Sequence, residues 1–173
     1  MKKYFIYTFI LSFTVAIYPQ GDFSSLEQKI KLENVISSTL NSTYLNKMQV
    51  GTVSPTVLNL QNTVALFNLS KSSIFKGSGK TYRVNFRKSN GKISAIYDGQ
   101  GKILESYGRF TNVIFPIPVR NTIFNQYPGW YVLGSVYNVF YTQGNDVRKV
   151  YKIQIGNGVR KKNLKINQEG NLL

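Results

Sequence analysis

Two stretches of this chain repeat one another, and together they narrow what it can fold into. Residues 82–104 read YRVNFRKSNGKISAIYDGQGKIL and residues 151–173 read YKIQIGNGVRKKNLKINQEGNLL. They align without a gap at an offset of 69, pairing Tyr82 with Tyr151, Val84 with Ile153, Phe86 with Ile155 and Ile103-Leu104 with Leu172-Leu173. Apolar and polar residues alternate through them, and a period of two sends successive side chains to opposite faces of a strand. Tyr82, Val84 and Phe86 point one way; Arg83, Asn85 and Arg87 point the other; Ile93, Ala95 and Tyr97 continue the apolar face. Asn90-Gly91 and Asn157-Gly158 are hairpin signals of the strongest short-range kind. Asp98-Gly99-Gln100-Gly101 and Asn167-Gln168-Glu169-Gly170 supply a further turn in each stretch. A solenoid needs about three stacked units, so two copies are too few. Two hairpin units side by side make one antiparallel sheet, with helices over its apolar face.

The helices are read from a different spacing. In Asp22–Met48, Leu26, Ile30, Leu32, Ile36, Leu40 and Tyr44 fall on one broad side at helical intervals. Gly51 and Pro55 then break the chain. Over 56–69, Leu60, Val64 and Phe67 suit a helix, while the run Val64-Ala65-Leu66-Phe67 suits a strand equally well. Phe115-Pro116-Ile117-Pro118 opens a short helix, because proline is tolerated in a first turn whose N–H groups have no partner. Val119, Ile123 and Tyr127 mark its buried side, and Pro128-Gly129 ends it. Trp130–Thr142 and Val147–Ile155 are rich in aromatic and β-branched residues and read as strands.

Met1-Lys2-Lys3 followed by the apolar run Tyr4–Tyr18 and the break Pro19-Gln20-Gly21 has the layout of a secretory signal peptide. The run is shorter than the roughly 20 residues a spanning helix requires. The expected organisation is a signal peptide at 1–20, an N-terminal helix and linker at 21–55, and an α+β domain at 56–173. No membrane-spanning segment is expected after cleavage. The chain has no cysteine, so no lipid can be attached to one. The expected product is exported, soluble in the periplasm or outside the cell, and not a lipoprotein.

Composition bounds the chemistry. With neither cysteine nor histidine, no Ser-His-Asp or Cys-His arrangement is possible and the usual zinc, copper and haem ligands are missing. The seven acidic residues are scattered. No catalytic residue, cofactor or metal site is expected, and the protein reads as a non-enzyme. Gly77-Ser78-Gly79-Lys80-Thr81 looks like the end of a phosphate-binding loop, but the upstream glycine is replaced by Ile74 and a strand follows, so it reads as a hairpin turn. The formal charge is +15, and +13 once Lys2 and Lys3 are subtracted. Such a charge favours polyanionic partners.

The tract FPIPVRNTIFNQYPGW, the Tyr-rich strands after it and the closing D/N-x-x-G-x-L-L hairpin resemble the PepSY-like bacterial secreted proteins, which share the fold of the β-lactamase-inhibitor protein. Pro116, Val119, Ile123, Tyr127, Pro128 and Gly129 match the family's helix pattern. Tyr82, Val84, Phe86, Gly91, Tyr97, Asp98, Gly101 and Lys102 match its hairpin pattern. The resemblance implies an α+β fold, with helices packed on an antiparallel sheet built from a duplicated hairpin unit. It carries no catalytic residue, and it implies a module that binds, inhibits or regulates a secreted protein.

If the alternation holds, Arg83, Arg87, Arg148, Lys152, Lys161 and Lys165 project from the polar side of the sheet, with Arg160 and Lys162 near a turn and Tyr131, Tyr137 and Tyr141 interleaved. Two functions of different kind fit. In the first, a binding module docks another envelope protein as inhibitor or regulator, with Trp130 as its apolar anchor or else as a core residue. In the second, the basic face holds an acidic polymer. Specific nucleic-acid binding is not expected, since no recognition motif is present.

Overall fold

A computed structural model of the chain describes residues 40–173. The expected signal peptide, and the expected helix as far as residue 39, lie outside the described residues. The elements run α1 (Ser42–Met48), α2 (Pro55–Ala65), a 3-10 turn (Leu69–Lys71), β1 (Tyr82–Lys88), β2 (Gly91–Tyr97), β3 (Ile103–Thr111), α3 (Ile117–Gln126), β4 (Tyr131–Thr142), β5 (Arg148–Gly156) and β6 (Lys161–Asn167). The strands make one antiparallel sheet in chain order, β1 to β6. The fold class is therefore α+β, with an antiparallel sheet.

The ambiguous stretch 56–69 begins with a helix. Pro55 starts α2 with its φ already set, and Val57, Leu60, Gln61 and Val64 recur at helical intervals on the buried side. Of the four-residue apolar run that suggested a strand, Val64 and Ala65 end the helix and Leu66 caps it. Phe67, just beyond the helix, packs edge-on to Phe86 with ring centroids 5.3 Å apart.

The described end of the expected 22–48 helix is interrupted. Leu40 is helical, Asn41 is a turn and α1 follows. Asn41 is 2% exposed and its amide joins three segments. It donates to the carbonyls of Ala65 and Gly101, both at 3.1 Å, and accepts from the Ile103 N–H at 2.9 Å. Short amide side chains compete with the helix for backbone partners in this way.

The apolar face of the sheet is rich in tyrosine. Tyr137 and Tyr151 stack at 4.7 Å, Tyr44 of α1 meets Tyr141 edge-on at 5.0 Å, and the Tyr97 hydroxyl donates to the Val64 carbonyl at 2.7 Å. α1 and α2 lie over the β1–β4 side. The loop before α3 reaches the β5 side through Phe115, edge-on to Tyr151 at 5.9 Å. α3 meets the turn after β6, where the Thr122 hydroxyl donates to the Gly170 carbonyl.

The first and last hairpins pair in the same register at the offset of the sequence repeat. Tyr82 opposes Tyr97 and Val84 opposes Ala95; Tyr151 opposes Ile166 and Ile153 opposes Leu164. The pairing of Tyr97 with Ile103 has its counterpart in the bridge of Ile166 with Leu172. The Asp98 carboxylate accepts from the Lys102 N–H at 2.9 Å, and the Asn167 amide oxygen accepts from the Asn171 N–H at 2.7 Å.

Both Asn-Gly signals fall in hairpins, but neither forms the two-residue loop. Ser89-Asn90 makes the first loop and Gly91 already pairs with Lys88. A Cβ on Gly91 would lie 2.2 Å from the Phe110 ring, so packing requires glycine there. The second loop has four residues, Asn157 to Arg160, with Gly158 at φ +87°. The stretch 77–81 leads into β1 through a turn, but no strand precedes it among the described residues, so it is not the hairpin turn expected.

Candidate functional site: the uncovered face of the sheet

Among the described residues, no helix lies over the second face of the sheet, and the register places its side chains in rows. One row carries Arg87, Lys92 and Arg109 on β1, β2 and β3, directly opposite one another. A second carries Thr111, Val136, Lys152 and Lys165 from β3 to β6, with the two lysines paired. A third carries Asn85, Ser94, Tyr107, Phe140 and Arg148. Arg83 heads a fourth row, with Ile96, Glu105 and Thr142.

The six cations expected on this face, Arg83, Arg87, Arg148, Lys152, Lys161 and Lys165, are exposed and fall at its strand positions. They sit in two groups, on β1 and on β5–β6. Lys92 and Arg109 bridge the gap; the same alternation places both, and the sequence reading had not singled them out. Lys162 has the opposite parity, and its ammonium lies 4.7 Å from the Tyr127 ring on the helix side.

Of the three tyrosines expected to interleave, Tyr131 is exposed opposite Gly156, and the other two need correction. Tyr137 and Tyr141 are 2% and 3% exposed and belong to the covered face. Their alternation partners supply the aromatic surface: Tyr107 and Phe140 stack at 4.7 Å, and the Arg148 guanidinium lies 4.5 Å from the Phe140 ring centre. The Tyr107 hydroxyl donates to Asn138 at 2.9 Å, fixing the ring. Trp130 is half-buried at the α3–β4 junction, edge-on to Tyr127 and packed on the core. It does not join the rows of cations.

Two concavities lie along this surface. One of about 250 Å³ is bordered by Arg83, Ile96, Glu105, Tyr107 and Thr142. The other, about 560 Å³ and open, is bordered by Thr111, Gly134, Lys152, Gln154, Asn163 and Lys165. Gln154 donates to Asn163 at 3.3 Å across its floor.

Charge is also divided along the strands. The carboxylates among the described residues are Asp98, Glu105, Asp146 and Glu169. Asp98, Asp146 and Glu169 lie in the turns at one end of the sheet, and Glu105 is the third residue of β3, near that same end. Arg87, Lys88, Lys92, Arg109, Arg160, Lys161 and Lys162 occupy the opposite half. Neither Asp98 nor Glu169 borders the cavity beside Glu105. No group of three or more potential metal-ligating side chains occurs among the described residues.

Protonation follows the two faces. Burial pushes the Tyr44, Tyr97 and Tyr137 hydroxyls well above the usual phenol range, and Tyr151 up to about 12. Lys149 is a cation on the covered face, 7% exposed, donating to the Val50 carbonyl at 2.7 Å. Burial lowers its pKa, and Glu169 partly opposes that.

No protein-family model, curated protein or solved structure matches this chain. No helix among the described residues is long and apolar enough to cross a membrane.

Proposed function

We propose that the protein is an exported, non-enzymatic binding module whose uncovered sheet face holds an acidic polymer. One observation carries this reading: Arg87, Lys92 and Arg109 stand directly opposite one another across three strands. Like charges so placed cost stability, and a bound polyanion removes that cost. Lys152 opposite Lys165 extends the track toward the other edge. The Tyr107–Phe140–Arg148 stack offers a flat surface for sugar rings or an apolar partner group.

A second reading keeps the same face but gives it a protein partner, so that the module inhibits or regulates another envelope protein. The aromatic stack at the middle of the face favours it, since tyrosine and arginine dominate the energetic centres of protein interfaces. The resemblance to PepSY-like secreted proteins, and with it a sheet built from a duplicated hairpin, belongs to this proposal too. Its support is the helix Ile117–Gln126 with Pro128-Gly129 just beyond it, and the shared register of the first and last hairpins.

Salt separates the two readings. The chain is titrated with a sulfated polysaccharide at low and moderate ionic strength. Charge-driven binding by several cations falls by about tenfold or more between roughly 50 and 200 mM salt. Absence of binding at low salt, together with salt-resistant capture of one stoichiometric envelope protein, replaces the first reading with the second.

A further inference from the structure

The basic end of the sheet also carries apolar side chains in water. β4 opens with Tyr131, Val132 and Leu133, which are 54%, 42% and 42% exposed. Tyr131 pairs with Gly156, and Gly156 pairs with Lys161, which brings the start of β4 beside the β5–β6 loop. A Cβ on Gly156 would meet the Leu133 side chain at 3.0 Å and the Arg160 carbonyl at 3.5 Å, so Leu133 lies against the base of that loop. At the loop's tip, Val159 is 89% exposed.

The loop is built to hold that valine outward. The Asn157 amide oxygen accepts from the N–H groups of Val159 and Arg160 at 3.2 and 2.8 Å. The Asn157 N–H also donates to the Arg160 carbonyl at 3.2 Å. Val159 buries almost nothing and contributes nothing to the core. Arg160, Lys161 and Lys162 follow it directly, while all four carboxylates of the described residues lie toward the far end.

We propose that this end of the sheet docks on an anionic lipid surface. Val159, Tyr131 and Leu133 enter the headgroup boundary, and Arg160, Lys161 and Lys162 pair with lipid phosphates. Apolar residues ringed by cations are what interfacial membrane binding requires. The sign of the charge argues against a second copy as occupant, because two such ends repel. This site adjoins the sheet face proposed above and shares Lys161 with it; Val159 and Arg160 lie in the loop, and Lys162 has the opposite parity.

The test is co-sedimentation of the chain without the expected signal peptide, residues 21–173, with vesicles of phosphatidylglycerol and phosphatidylcholine, or of phosphatidylcholine alone. Trp130, the only tryptophan, stands next to Tyr131 and reports insertion through its emission. The expected result is binding to the anionic vesicles only, with a blue shift. Val159→Asp should weaken it at least tenfold, and Arg160→Glu/Lys162→Glu, which spares the cations of the sheet face, should abolish it. Val159 is exposed, so circular dichroism of the variant should match wild type. Equal binding to both vesicle types overturns the anionic requirement. No binding overturns the proposal, as does binding that survives Val159→Asp but is lost in Lys152→Glu/Lys165→Glu. That last result would assign the lipid to the sheet face.

Discussion

The two faces of the sheet are made from alternate residues of the same strands, and they do opposite things. The covered face carries Tyr97, Tyr137, Tyr141 and Tyr151 with Ile93, Val139 and Ile153, all buried. Its one buried cation among the described residues, Lys149, is tied to the Val50 carbonyl. The uncovered face carries Arg87, Lys92, Arg109, Lys152 and Lys165 within pairing distance of like charges. Covered-face changes should therefore cost stability and spare ligand affinity. Uncovered-face changes should do the reverse.

The largest expected effect is alkaline unfolding. The unfolded chain ionises its tyrosines from about pH 10, whereas the folded chain holds Tyr44, Tyr97 and Tyr137 neutral beyond that. The unfolded state then binds fewer protons, and stability falls as pH rises. Each tyrosine removes about 1.4 kcal/mol per pH unit above its unfolded pKa. Lys149 acts in the opposite sense, because its lowered pKa penalises the folded state until pH approaches the ordinary lysine range. One partly compensated lysine does not offset three tyrosines. Denaturant titrations from pH 8 to 11.5 should show a steep loss above pH 10; a flat profile breaks the comparison.

Next comes Asn41→Ala. It leaves the Ala65 and Gly101 carbonyls and the Ile103 N–H without partners and should cost about 3 kcal/mol in denaturant unfolding. Polysaccharide affinity of the folded variant should be unchanged.

Smaller again is the contrast between the two hairpin glycines. Gly91→Ala drives a methyl into the Phe110 ring and should cost about 2 kcal/mol by overpacking. Gly158→Ala meets no atom within 4 Å and carries only its positive φ, about 1 kcal/mol. Equal melting shifts would mean that the first glycine serves its turn and not its packing.

The smallest effect has the opposite sign. Lys92→Thr removes the middle of three aligned cations and should stabilise the fold by a few tenths of a kcal/mol, a gain that added salt erases. Its polysaccharide affinity should fall. A variant that loses stability together with affinity would mean that Lys92 belongs to the structure and not to the ligand surface.

Much of this division was legible in the strand alternation. The parity that buried Tyr82, Ile93, Tyr97, Leu164 and Ile166 also set six cations on the other face. Aromatic chemistry suggests the cationic surface for Tyr137 and Tyr141, but Tyr137 opposes Tyr151, whose apolar parity the repeat fixes. The bulge between Val132 and Gly134 breaks the alternation at the start of β4, where parity alone does not carry through. Asn41 was unreadable, since its three partners lie 24 to 62 residues away and nothing local marks them. The Asn-Gly pairs correctly announce hairpins, but Gly91 lies in β2 beneath the Phe110 ring and the first loop falls one residue earlier.

Total charge alone predicts some polyanion binding wherever the cations sit. The decisive measurement therefore compares two variants of equal net charge for affinity to a sulfated polysaccharide at low salt. Lys92→Glu/Arg109→Glu places its reversals on the uncovered face, and Lys80→Glu/Arg120→Glu places them before β1 and on α3. The face variant should lose at least tenfold more affinity than the control. Equal losses in the two would contradict the assignment of the sheet face as the ligand surface.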